Sequence, residues 1–197
     1  MFDFGRDLKR LFGVDTGAPA RAAAHRDGLT GGDTSLLELL DLRLLVNEAR
    51  SADVAAGRIG AKDRGHRLLE AAVVWRELAR RSGDAAALRK GAAQAEAAAK
   101  VFEAEHRAES LAAARCEQAT LAVLGADLFG DEGLHAAAGA TLTLAKTQPG
   151  HRCAMAEALM AGLEGRVALG ENDLDRALAA AQAFESPLRG LAAARRV

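Results

Sequence analysis

From residue 20 to residue 148 the chain contains no proline; its three prolines are Pro19, Pro149 and Pro187. A proline inside a helix removes one ladder hydrogen bond and clashes with the preceding turn, so this long stretch can form uninterrupted helices. About a quarter of the residues are alanine, the strongest helix former. Tyrosine is absent and aromatic residues make up only 4%, which leaves little from which a sheet could be built. The sequence therefore predicts an all-α fold whose helix ends fall at glycines and whose helix starts fall at polar residues such as Asp33, Thr34, Asp84, Asp131 and Asn172. Read this way, helices are expected over 34–59, 63–82, 84–106, 109–129, 131–146, 151–169, 173–184 and 187–195, with short connections that make successive helices antiparallel neighbours.

Charge narrows the range of partners. Lysine plus arginine number 26 against 27 acidic residues, a net charge of −1, so the chain lacks the basic excess that nucleic-acid binding draws on. The most apolar run, Leu36 to Val46, is broken by Glu38, Asp41 and Arg43, well short of a bilayer span. Asp3, Arg6 and Asp7 stand where a signal peptide needs an apolar core, and Cys116 and Cys153 follow no CxxC spacing. The expectation is a cytoplasmic chain with reduced, buried thiols.

The chain also matches itself at an offset of forty. Glu117 superposes on Glu157, Gly125 on Gly165, Gly130 on Gly170, Leu134 on Leu174, Ala137 on Ala177 and Ala140 on Ala180. Each unit reads as a long helix with one glycine five residues before a terminal glycine, then an acidic turn and a second helix. Small Ala137 and Ala177 would allow close helix approach, Leu134 and Leu174 would fill the space between hairpins, and the turn glycines would take left-handed backbone. At these residues, in LGENDLDRAL (169–178) and LAVLGADLFGDEGL (121–134), the chain resembles the tetratricopeptide-like helical repeat class. The family's usual large aromatic in the first helix is replaced by Leu128 and Ala168. The resemblance covers roughly residues 110–184 and implies a short α-solenoid of stacked hairpins whose inner face binds peptides or helices of other proteins.

Few residues point to chemistry. Glu103 with His106 and Glu132 with His135 are E-x-x-H pairs, the spacing that places carboxylate and imidazole on one helical face in di-iron bundles. Cys116, His151 and Cys153 are the other candidate metal set, and no serine, glycine-rich or phosphate-loop motif is present. The helix around Leu36–Val46 is apolar on nearly every side and is expected to be buried centrally or at a dimer interface, with Trp75 beside it as a core anchor. Arg76, Arg115, Arg152 and Arg166, on presumed first helices, are candidates to line a concave face and recognise carboxylates. Near the N-terminus, Phe4, Leu8, Leu11 and Phe12 fall on one helical stripe beside Arg6, Lys9 and Arg10, tethered through Pro19 to Gly32. Such a segment can dock on its own body, on a partner or second copy, or on an anionic membrane surface.

The expected organisation is an N-terminal amphipathic segment and linker (1–32) followed by a helical repeat domain (33–197). The expected role is a non-catalytic interaction or adaptor module without cofactors, its partner another protein or a second copy rather than nucleic acid. The alternatives are a helical-bundle metal protein using the E-x-x-H pairs and a peripheral membrane protein held by the N-terminal stripe.

Overall fold

Gly83 and Gly130 end their helices in left-handed backbone, with φ of 67° and 68°, and donate their N–H groups to the carbonyls of Ala79 and Ala126. Asp84 begins the next helix by accepting from the N–H of Ala86, and Asp173 does the same for Arg176. The computed structural model describes residues 35–57, 63–149 and 154–194, and elsewhere in it helices begin without such a cap, as at Arg107 and Glu132. The helices are α1 (Ser35–Glu38), α2 (Leu42–Ala56), α3 (Arg64–Ser82), α4 (Ala85–Ala104), α5 (Ala108–Phe129), α6 (Gly133–Thr147), α7 (Ala154–Gly170) and α8 (Leu174–Ala194). Among the described residues there is no strand.

Two boundaries differ from expectation. The helix expected over 34–59 divides at Asp41, whose side chain accepts from the N–H of Leu44 at 2.8 Å and so starts α2 afresh after the single turn α1. The two helices expected around Pro187 are one, α8. Proline at 187 frees the carbonyl of residue 183, and Ala183 is exposed, so water can take the bond that the ring denies.

Three hairpins follow from the short turns: α3 packs on α4, α5 on α6 and α7 on α8. They are joined through α4–α5 and α6–α7, and the first helices also meet directly, α3 against α5 and α5 against α7, while α2 packs on α3. The first helices run parallel. His66 near the start of α3 approaches Arg107 and Ser110 at the start of α5, and Asp127 near the end of α5 pairs with Arg166 near the end of α7. The result is an all-α stack of hairpins with α3, α5 and α7 in one layer.

The centre of the N-terminal half is α3 rather than the Leu36–Val46 segment. Leu68, Leu69, Val73, Val74, Trp75 and Leu78 are all buried, whereas Leu39, Leu42 and Leu44 are 70%, 43% and 40% exposed. The break at Asp41 explains this, because each short piece turns only one side, Leu37 in α1 and Leu45 with Ala49 in α2, to the core. Helix crossings are close at glycines: a Cβ on Gly65 would stand 2.5 Å from the Phe102 ring, and one on Gly91 would stand 2.9 Å from Leu121.

The forty-residue match holds for the elements and slips within the second helices. Leu134 reaches into the space within the α5–α6 hairpin, where a Cβ on Gly125 would meet its Cδ1 at 2.8 Å, rather than the space between hairpins. Leu174 does not fill the equivalent space and is 67% exposed. In α6 the buried small residues are Ala138 and Ala145, with Ala137 exposed, and among the described side chains of α8 Ala180 is buried rather than Ala177. Gly170 is not left-handed; Asn172 takes that conformation (φ 58°), which asparagine tolerates better than most residues. What Gly170 supplies is closeness, for its missing Cβ would sit 2.4 Å from the His135 ring.

Candidate interaction surface

The layer formed by α3, α5 and α7 is tied by polar contacts whose sequence separations repeat the forty-residue spacing. Arg76 Nε donates to Glu117 Oε1 at 2.7 Å across 41 residues. Arg107 Nη2 lies 3.3 Å from His66 Nε2, also across 41 residues, and Arg166 pairs with Asp127 across 39. Beside this layer, Asp53 of α2 accepts from both Trp75 Nε1 (2.8 Å) and Gln94 Nε2 (2.7 Å), joining α2, α3 and α4 through one carboxylate. Lys90 stacks over the Trp75 ring at 4.4 Å.

The candidate arginines divide by environment. Arg76 is committed to Glu117, and both side chains are largely withdrawn from water, 13% and 9% exposed. Arg115 reaches Gln118 at 3.4 Å and keeps a buried Nε without a hydrogen-bond partner. Arg166 is 47% exposed and pairs with the equally accessible Asp127. These three do not form a row of unpaired guanidinium groups on one face. Two act as ties between first helices, and Arg115 bonds within its own helix, α5. Arg152 and the N-terminal residues Phe4, Leu8, Leu11 and Phe12 lie outside the described residues.

The E-x-x-H pairs lack the geometry their spacing suggested. His106 follows the end of α4 and adopts left-handed backbone (φ 55°), so it does not share a helical face with Glu103. Glu132 precedes α6, and His135 packs under Gly170 with a buried Nδ1 that has no hydrogen-bond partner. Among the described residues no group of three or more histidine, cysteine or acidic side chains is arranged to hold a metal ion. Cys116 is buried in the core with Met160, Leu163 and Val167, while His151 and Cys153 lie outside the described residues.

Several interactions escaped the sequence reading. Glu77, only 1% exposed, is gripped by Arg80 through Nε (2.8 Å) and Nη2 (2.6 Å), three residues later on the same helix. Glu164 of α7 joins Lys146 of α6 to Arg176 of α8, and Arg176 also pairs with Glu171. Burial pushes the Glu164 carboxyl up, but the hydrogen bonds from Lys146 and Arg176 outweigh it and hold the group below the usual range. The i, i+3 pair at Glu77 had a visible signal; the contacts between helices needed the packing.

Glu48 of α2 behaves oppositely. Burial, reinforced by the negative charge of Glu70 on α3, raises it from the ordinary 4.5 to about 7. The folded state therefore binds this proton more tightly than the unfolded chain does. The associated stability is present in full below pH 4.5 and is lost as the pH rises through about 7. Glu48→Gln is expected to stabilise the fold by about 1–2 kcal/mol at pH 8 after allowance for partial solvent access, with no gain at pH 4. Urea melts at both pH values check this; an equal effect at both would refute the assignment.

No family model matches the chain, no curated protein matches it, and no solved structure matches it. Among the described residues no helix is long and apolar enough to cross a membrane.

Proposed function

We propose that the chain is a non-catalytic protein-protein interaction or adaptor module of tetratricopeptide-like type, in which the layer of α3, α5 and α7 receives a peptide or helix from another protein. The observation that carries this reading is the direct contact of each first helix with the next, α3 with α5 and α5 with α7, in a stack of antiparallel hairpins. A stack of this kind presents an extended surface to which several helices contribute, and such surfaces serve recognition more readily than enclosed chemistry. The accessible Asp127–Arg166 pair marks where charge is available on it. A forked guanidinium and a carboxylate held side by side offer a peptide both an acceptor and donors.

The test is affinity co-purification from the native cell with the full chain and with its Arg166→Glu variant, followed by mass spectrometry and measurement of binding to the identified protein. The expected result is a saturable partner whose affinity falls about tenfold in the variant, the size of effect expected when a charged contact on a recognition surface is reversed. A purified chain that carries stoichiometric iron or zinc and no specific partner would overturn the reading in favour of a metal protein.

A further inference from the structure

The N-terminal segment enters the fold at a place that bears on what it can reach. Helix α1 sits at the C-terminal end of α3, where Arg81 Nη1 donates to the carbonyl of Leu40 at 2.7 Å. Because α3, α5 and α7 run parallel, this is the same edge of the stack that carries the α5–α6 and α7–α8 turns. The edge is unusually apolar for exposed surface: Leu128, Phe129, Leu169, Leu174 and Leu178 are 38%, 47%, 59%, 67% and 61% accessible. A single exposed leucine needs no explanation, but several gathered at one edge indicate a surface meant to be covered. Its α3 end carries the exposed Arg81, but between the α5–α6 and α7–α8 turns the remaining charge is acidic. Asp131, Glu132 and Asp175 are exposed there, whereas Asp127 and Glu171 are already answered by Arg166 and Arg176.

Residues 1–12 have the complementary character. Phe4, Leu8, Leu11 and Phe12 share a stripe, and Arg6, Lys9 and Arg10 outnumber Asp3 and Asp7. Residues 13–34 separate this segment from α1 in the sequence, and twenty-two residues can span at most about 70 Å. From α3 to α7 the edge covers two interhelical spacings, about 20 Å in all. The connection is long enough to place the segment over the α5 and α7 turns without strain and short enough to keep it there at high local concentration.

We propose that residues 3–12 dock on this edge of their own chain, with the apolar stripe on Phe129, Leu169 and Leu174 and the cationic side chains toward Asp131, Glu132 and Asp175. The docked segment lies beside the Asp127–Arg166 pair used in the reading of the α3, α5 and α7 layer, but the inference rests on a separate observation, the exposed apolar edge, and crosslinking within one chain tests it without any partner protein.

The test uses the full chain at low micromolar concentration with a benzophenone side chain in place of Gly5. Irradiation is expected to join position 5 to peptides from 127–134 or 169–178 within one chain. The combined Leu169→Asp and Leu174→Asp change, at positions already exposed and so compatible with folding, is expected to lower that yield about tenfold, the scale associated with losing one or two buried leucine contacts. In the otherwise native chain, Phe4→Asp with Leu8→Asp is expected to speed amide exchange across 169–178. Crosslinks only between chains would replace this occupant with a second copy. Crosslinks to other surfaces, no crosslinks above the denatured chain, or transfer of the label to anionic vesicles with no internal product would each overturn the proposal.

Discussion

Replacing Arg76 by alanine is expected to destabilise the fold by about 3–5 kcal/mol, the usual consequence of removing one member of a buried ion pair. The guanidinium lies between α3 and α5, 2.7 Å from Glu117, and neither side chain keeps much contact with water. Without Arg76 the Glu117 carboxylate is left in a layer interface with Ala119 and Leu121 buried on the same helix. Since domains of this size have a total stability of about 5–15 kcal/mol, the variant should unfold far earlier in urea. The pair itself is worth much less than its disruption. The double change Arg76→Met with Glu117→Leu is therefore expected to recover most of the loss, because apolar groups of similar volume need no compensating charge. Urea titrations read by far-ultraviolet circular dichroism distinguish these cases. A single variant within about 1 kcal/mol of the native chain would show that water reaches the pair more freely than its burial implies.

The second large effect concerns one substitution that changes sign with position. Gly65→Ala is expected to destabilise by about 2–3 kcal/mol and Gly165→Ala to stabilise by about 0.5–1 kcal/mol, although both positions lie inside first helices. At residue 65 the added methyl would stand 2.5 Å from Phe102, a ring with no exposure that is held among Leu68, Leu69 and Leu111. At residue 165 the nearest atom is the Ala180 Cβ at 3.6 Å, an ordinary contact, so only the helix-propensity gain remains. Thermal melts of the two variants give the comparison. A stabilised Gly65→Ala would mean that α4 can move away from α3 at little energetic cost.

These positions also show what the chain discloses before it is folded. Gly83, Gly130 and Asp84 are local devices, each acting on a backbone group a few residues away, and so their roles could be read from order alone, whereas the helix start read at Asn172 belongs to Asp173, one residue later. Asp41 is local too, but it was masked by leucines on both sides that suggested one continuous helix. The offset of forty correctly marked hairpins that follow one another, and Arg76–Glu117 and Asp127–Arg166 have nearly that separation. It could not give the facing of α6 and α8. In an alanine-rich helix, Ala137 and Ala138 are equally suited to burial, and a rotation of one residue costs the pattern nothing. The arginines illustrate the same limit, since whether a guanidinium meets solvent or a carboxylate depends on the helix opposite. Glu48 is the extreme case, because its altered affinity for protons arises from burial and from Glu70 on a neighbouring helix.

Trp75, the chain's single tryptophan, is held by Asp53 and covered by Lys90 at the α2–α4 end of the stack. Fluorescence consequently samples one end of the molecule, whereas helical ellipticity samples all of it. In a stack whose helices touch mainly their sequence neighbours, the two ends are coupled only through what lies between them. Any difference between the two signals during unfolding then measures how far cooperativity extends along the stack, making the lone indole a gauge of communication between its ends.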